Sequence, residues 1–265
     1  MKYLLVAYLF LGSTVLFTSC NHQSGPPLLK RQQYKLAGAS TCDTSVNKGV
    51  DVSVSYFLLN DDSQAARTIN DSMRQISVGS IVGWLDSTTV ANNPEARVDL
   101  NKAATLFATD YESMMKDMDK LGGCWELKTT ADTVYTSPNA ITVKIETYAY
   151  TGGAHPNSNL AFYTFDRETG KTLALTDLVE DTTALLNVVE KAFRKQQDLL
   201  PQYNLEERGY FLRDGRFFLP ANIGVGRDGL IFYYNPYEIA AYAVGPIEVT
   251  VPYEQLNGIL RDSWY

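Results

Sequence analysis

Hydrophobic side chains fall on every second position at Val50, Val52, Val54, Tyr56 and Leu58, with mostly polar residues between them. A period of two predicts a half-buried strand. The period then lengthens. Ile69, Met73 and Ile76 recur at the spacing of one helix face, which predicts an amphipathic helix. A second helix is expected from about Val98 to Leu121. Its apolar stripe is Ala103, Leu106, Phe107, Met114, Met118 and Leu121, and Gly122-Gly123 would close it as a C-cap. The methionines read as adaptable core filler rather than ligands.

Strand periodicity returns after Gly123. Cys124 to Thr130 is one candidate, and Ile141, Val143 and Ile145 alternate with polar residues in another. Thr151-Gly152-Gly153 interrupts that strand. Leu160 to Phe165 reads as the next, followed by a tight turn at Glu168-Thr169-Gly170-Lys171. A third helix is predicted over Thr182 to Leu199, with Leu185, Leu186, Val189, Ala192 and Phe193 inward and Pro201 ending it. Leu230 to Tyr234 and Ile247 to Val251 alternate again, and Pro252 to Leu260 is expected as a short final helix. Blocks of helix and of strand give an α+β class, with antiparallel sheets and about three helices. The expected division is an N-terminal part over 41–150 and a C-terminal part over 151–265.

The first 40 residues follow another pattern. Leu4 to Phe17 is apolar apart from Gly12, Ser13 and Thr14, and Lys2 precedes it. A membrane-spanning helix needs about 20 apolar residues, so this run has the length of a signal-peptide core. It ends at Phe17-Thr18-Ser19-Cys20. Small residues before a cysteine are what a lipoprotein signal requires, because the thiol carries a diacylglyceryl group. Residues 1–19 are therefore expected as a signal peptide and Cys20 as the lipid attachment site, although an ordinary cleaved signal would fit the apolar run too. Two or more acyl chains anchor stably. Residues 20–40, polar and carrying Gly25-Pro26-Pro27, read as a flexible tether. The expected location is the cell envelope, on a membrane and facing the periplasm or the cell surface.

Charge and cysteine usage narrow the partners. The chain has 30 acids against 23 bases, a net charge of −7. An acidic chain without a Lys/Arg cluster has no phosphate footprint, so no nucleic acid is expected. The acidic balance suits a cationic partner and equally suits plain solubility. With Cys20 lipidated, Cys42 and Cys124 are left as a candidate disulfide in an oxidising compartment, or as two buried thiols.

Motifs that suggest chemistry mostly dissolve. Gly224-Val225-Gly226-Arg227-Asp228-Gly229 matches G-x-G-x-x-G, but a dinucleotide site needs a helix after it. Here Leu230 to Tyr234 is strand-like and Asp228-Gly229 signals a hairpin. No cofactor is expected. His22 and His155 are the only histidines, too few for a zinc site, so no metal and no catalytic residue is assigned. His155 lies in Thr151-Gly152-Gly153-Ala154-His155-Pro156-Asn157, a loop that glycines let approach other backbone closely. Of 17 tyrosines, Tyr148, Tyr150, Tyr163, Tyr233, Tyr234, Tyr237 and Tyr242 lie near this loop or the last strands. They offer flat area with a polar tip for ligands, or amphipathic strand packing.

One arrangement of residues carries a resemblance. It runs through Thr151-Gly152-Gly153-Ala154-His155, Phe165-Asp166, Thr169-Gly170-Lys171-Thr172-Leu173 and Asp177-Leu178. It continues through Phe232, Asn235-Pro236-Tyr237-Glu238-Ile239-Ala240, Gly245-Pro246-Ile247-Glu248-Val249 and Val251-Pro252-Tyr253. This order resembles the RsiV-like extracellular domain family, which also accompanies PdaC-type peptidoglycan deacetylases. The resemblance covers about Val50 to Leu260 and is specific in its second half. Ala241 departs from the family's usual proline before Tyr242. The resemblance implies an α+β envelope domain that binds a ligand without chemistry of its own, and lysozyme is what the anti-sigma relatives sense. No sigma-binding segment, transmembrane helix or deacetylase domain is read here.

The functional expectation is a non-enzymatic lipoprotein that binds a protein, lysozyme among the candidates, or peptidoglycan. Candidate contacts are Thr151, Gly152, Gly153, His155, Asn157, Tyr237, Glu238 and Tyr242. The alternatives are a hydrolase or peptidoglycan-modifying enzyme built on His155 and nearby carboxylates, and a structural scaffold.

Overall fold

A computed structural model describes residues 27–38, 40–117 and 123–261. Cys20, the expected signal peptide and the expected cap at Gly122 lie outside the described residues. The first sheet has strand order β1-β2-β3-β4-β5. Its strands are β1 (Leu29–Lys35), β2 (Val50–Leu59), β3 (Trp125–Thr136), β4 (Ala140–Tyr150) and β5 (Asn157–Asp166). Strand β1 occupies part of the expected tether. It pairs antiparallel to β2, with Tyr34 opposite Val54. Seven residues of regular backbone pairing outweigh the polar composition that suggested a flexible segment. Lys30, Arg31 and Lys35 on this outermost strand discourage further strand pairing.

The antiparallel expectation needs one correction, because β2 and β3 run parallel, from Val50 opposite Trp125 to Ser55 opposite Thr130. A parallel pair requires a long crossover. Here the described part of the crossover holds the α-helices α1 (Gln64–Val82), α2 (Ser87–Asn92) and α3 (Leu100–Asp117). The Ser63 side chain caps α1 by accepting from the Ala66 N–H at 3.1 Å, and Asp86 caps α2. The helices cover one face of the sheet. Val78, Ile81, Ala103, Ala104 and Phe107 pack with Val50, Val52, Val54, Trp125 and Leu127. Ala66, Ile69 and Met73 pack with Ala131, Ile141, Val143 and Phe165. Among the described residues no helix is long and apolar enough to cross a membrane.

The disulfide is formed. Cys42 and Cys124 are bonded with their Cα atoms 5.5 Å apart. The bridge fastens the 42–49 loop to the start of β3, where the Trp125 N–H also donates to the Gly49 carbonyl at 2.9 Å.

The second part contains α4 (Leu175–Leu178), α5 (Thr182–Gln196) and a sheet of β6 (Asn222–Val225), β7 (Gly229–Tyr234) and β8 (Ile247–Pro252) in sequence order. Leu185, Val189 and Phe193 of α5 are fully buried against Phe232, Tyr234, Val249 and Val251. Burying each such side chain contributes about 1.5–3 kcal/mol. The expected final helix shrinks to a single turn at Tyr253–Gln255. Gly258 takes φ 73°, which lets Leu256, Ile259 and Leu260 turn into the core instead of continuing a helix.

The parts meet at β5, which the expected division at 150/151 had placed in the second part. It completes the first sheet and presents Leu160, Phe162 and Thr164 to the second. A Cβ on Gly224 would lie 3.0 Å from Phe162, so β6 needs glycine to approach this closely. Phe162 also meets Tyr233 edge-on, with ring centroids 6.2 Å apart.

Two outcomes follow. Replacing both bridged cysteines by serine removes a link across 82 residues, and the chain-entropy model gives a loss of about 4–5 kcal/mol, measurable by urea unfolding under oxidising conditions. Burial, then Tyr135 and Asp228, push the Tyr253 phenol up to about 12, and its hydroxyl donates to the Gly226 carbonyl at 2.8 Å. The folded state thus favours the protonated phenol. That stabilisation is complete below about pH 10 and is lost as pH rises toward 12. Tyr253→Phe should flatten the alkaline fall in denaturation midpoint, and an unchanged pH profile would contradict this.

Candidate functional site

The loop between β4 and β5 is shaped by Gly152, whose φ of 84° carries the chain over Trp125. It delivers His155 to the second part. The His155 ring stacks on Tyr242 with centroids 3.9 Å apart and planes within 19°. Tyr237 joins them, 5.4 Å from Tyr242 and 6.4 Å from His155. The Pro156 carbonyl lies 3.0 Å from His155 Nδ1 and accepts from the Tyr242 hydroxyl at 3.0 Å. A carbonyl can only accept, so Nδ1 donates in that contact, and Nε2 is the ring's other polar atom. The Tyr237 hydroxyl sits 3.4 Å from that Nε2. Three rings from two connections, β4–β5 and β7–β8, therefore form one surface platform.

Tyr237 is placed by its turn. In Asn235-Pro236-Tyr237-Glu238 the Glu238 N–H donates to the Asn235 carbonyl at 3.0 Å. Proline at the second position and a positive φ at the third are the pattern of a type II turn. The third position usually takes glycine, yet Tyr237 holds φ 68° and is 56% exposed. A bulky residue here is strained by about 1–2 kcal/mol, and such strain clusters at sites of function. The turn is fastened on both sides. The Asn235 side chain accepts from the Leu160 N–H at 2.8 Å and donates to the Leu160 carbonyl at 3.0 Å. The Glu238 carboxylate accepts from the Asn235 N–H at 2.9 Å and the Ala221 N–H at 3.2 Å.

The predicted site residues thus divide. His155, Tyr237 and Tyr242 converge. Glu238 ties the turn together, with both carboxylate oxygens occupied. Thr151, Gly152 and Gly153 form the loop beneath the platform. Asn157 begins β5 opposite Ala149 and is exposed. His155 contacts a carbonyl and two tyrosines, none of which is a carboxylate that could orient it as a base. Among the described residues no group of three or more His, Cys, Asp or Glu could hold a metal ion. Gly224 to Gly229 form the β6–β7 hairpin, with the Gly226 N–H donating to the Gly229 carbonyl at 2.9 Å.

A cleft of about 590 Å³ opens beside the platform. Its walls come from the uncovered face of β3 and β4 (Glu126, Lys128, Thr130, Glu146, Tyr148), the start of β5, and Tyr233, Pro236 and Pro246 of the second part. Sequence reasoning named Tyr148 and Tyr233 only within a broad tyrosine cluster and missed the charged residues. Their signal was present as the polar alternates of β3 and β4.

Comparisons with known proteins match two segments of the chain separately. Residues 44–158 match the family profile described as Deacetylase PdaC, and residues 176–254 match Protein of unknown function (DUF3298). The first segment ends just inside β5, and the second begins in α4. Immunogenic protein MPT64 of Mycobacterium tuberculosis and immunogenic protein MPB64 of Mycobacterium bovis are each 27% identical to the chain over 126 residues. That stretch is 44% of this chain and 51% of the mycobacterial proteins, so the chain spans about half the length of these curated relatives. Among solved structures, a DUF3298 family member from Bacteroides fragilis aligns with a TM-score of 0.66 at 22% identity, covering 90% of this chain and 95% of that one. A DUF3298 family protein from Pseudomonas aeruginosa aligns with a TM-score of 0.59 at 17% identity, covering 90% and 96%. The α+β fold is thus shared along nearly the whole length.

Two substitutions separate the roles in the turn. Asn235→Ala leaves the Leu160 backbone groups without these partners and should cost about 1–3 kcal/mol. Tyr237→Gly relieves the positive φ and should stabilise by up to about 1 kcal/mol. Paired denaturation curves check both, and a destabilised Tyr237→Gly would contradict the strain assignment.

Proposed function

From a chain that is PdaC-like in its first part and DUF3298-like in its second, we propose a non-catalytic cell-envelope binding lipoprotein. Lipid on Cys20 holds it to a membrane, and the His155–Tyr237–Tyr242 platform meets a protein or cell-wall ligand. The convergence of those three rings carries the reading. Rigid aromatic anchors supply large contact area at low entropic cost. Asn235 and Glu238 fix the turn that carries Tyr237, so little ordering of that turn remains for binding to impose. The acidic chain suits a cationic partner, and lysozyme is the protein candidate to which the family resemblance points.

Retention on immobilised lysozyme over a salt series tests the protein ligand. Retention at low ionic strength that weakens as salt screens the charges is the expected result. Co-sedimentation with purified peptidoglycan tests the alternative ligand. Tyr237→Ala should weaken the productive interaction by about 30-fold, the effect of removing a central aromatic anchor. Failure of both probes, or an unaffected Tyr237→Ala, would sink the reading. For the anchor, wild-type chain should fractionate with membranes and Cys20→Ala should not.

A further inference from the structure

We propose that the cleft beside the platform is a binding groove for an uncharged glycan strand. The inference rests on the binding role above, but on other residues.

The groove crosses the uncovered face of the first sheet, where the strands set its side chains in rows. Lys128, Tyr148 and Ser158 stand opposite one another across β3, β4 and β5, and Thr130, Glu146 and Leu160 form the next row. Tyr148 on the first sheet and Tyr233 on β7 both line the cleft. Each is half-buried, so it is held by its surroundings while part of it stays open. A flat ring with a polar tip suits the apolar faces of a pyranose edged by hydroxyls.

The polar inventory favours a neutral, hydroxyl-rich ligand. Glu126 and Glu146 are acceptors, Lys128 is a donor, and Thr130, Ser158 and Asn159 can act as both. A sugar hydroxyl also donates and accepts, so it finds a partner at each of these positions. Neither sign of charge prevails. Glu146 is paired with Lys144 at 3.1 Å, and Glu126 and Lys128 stand two residues apart on the same strand face. A polyanion would meet the two carboxylates, and a polycation would meet the lysine. The volume of about 590 Å³ lies within the usual range for ligand sites, about 300–1,000 Å³.

The probe is the hexasaccharide of N-acetylglucosamine, titrated calorimetrically into the full chain, with the lysozyme column run in parallel. The wild-type chain should bind the hexasaccharide. Tyr148→Ala and Lys128→Glu should each weaken it at least tenfold with unchanged thermal midpoints. Lys128→Glu is a surface exchange, so it keeps the test open if Tyr148→Ala disturbs folding. No binding of the hexasaccharide would overturn the proposal, and so would binding that both groove variants leave intact. Tighter, salt-sensitive binding of the deacetylated, cationic hexasaccharide would overturn the neutral-ligand assignment. Loss of lysozyme retention in the groove variants without any saccharide binding would make the groove a protein face and overturn it as well. Lysozyme retention that depends on Tyr237 would leave the platform reading standing whatever the groove does.

Discussion

The side-chain amide of Asn235 is bonded to both backbone groups of Leu160, and the rest of the site depends on this pair. Strand β5 is an edge of the first sheet, so its outward N–H and C=O groups need partners or water. Asn235 supplies them at one residue, donating and accepting as a neighbouring strand would. The same contact sets the position of the 235–238 turn against the first sheet. The turn brings Tyr237 to His155, and the approach of the two parts opens the cleft between Tyr148 and Tyr233.

Stability and site make opposite demands nearby. The second core is dense with aromatics: Phe193 meets Tyr210, Phe217 and Tyr234 with centroids 5.1 to 5.8 Å apart. The Tyr234 hydroxyl is not left unpaired in that core, because it donates to the Phe218 carbonyl at 2.7 Å. Burial pushes this phenol well above its usual range, which keeps it neutral and in place as a donor. A few residues on, Tyr237 has neither burial nor a relaxed backbone. Its exposure and its positive φ are tolerable because the neighbouring core and the Glu238 carboxylate hold the turn. A rigid support with a strained, exposed ring at its tip is the arrangement expected where rigidity at a contact surface matters more than local stability.

The helix-covered and uncovered faces of the first sheet divide the labour. The parallel β2–β3 pair forces the chain to cross over, and the crossover helices bury one face. The disulfide fastens that crossover at its base, beside the first residues of both strands. The other face is left to the second part, which covers only some of it. The remaining strip of Glu126, Lys128, Thr130, Glu146 and Tyr148 becomes a groove wall.

The sequence by itself determined the elements with a clean period. Alternation marked β2, β4 and β7, and helical spacing marked α1, α3 and α5, because burial of one face writes its period into the residues. It also pointed to Cys42 and Cys124, to a hairpin in place of a dinucleotide loop, and to His155, Tyr237 and Tyr242 as residues of interest. Other features were decided only by tertiary contact. Strand β1 has no apolar period and exists because β2 offers it a partner. The parallel pairing, the place of β5 in the first sheet and the shortened end after Pro252 depend on which distant segments meet. Glu238 looked like a ligand residue and proved to be a turn tie, since its two partners, at Asn235 and Ala221, are assembled by the fold. The groove was hidden for the same reason: an outward polar residue on a strand reads as solvated surface until a second sheet is placed opposite it, and local periodicity carries no information about that placement.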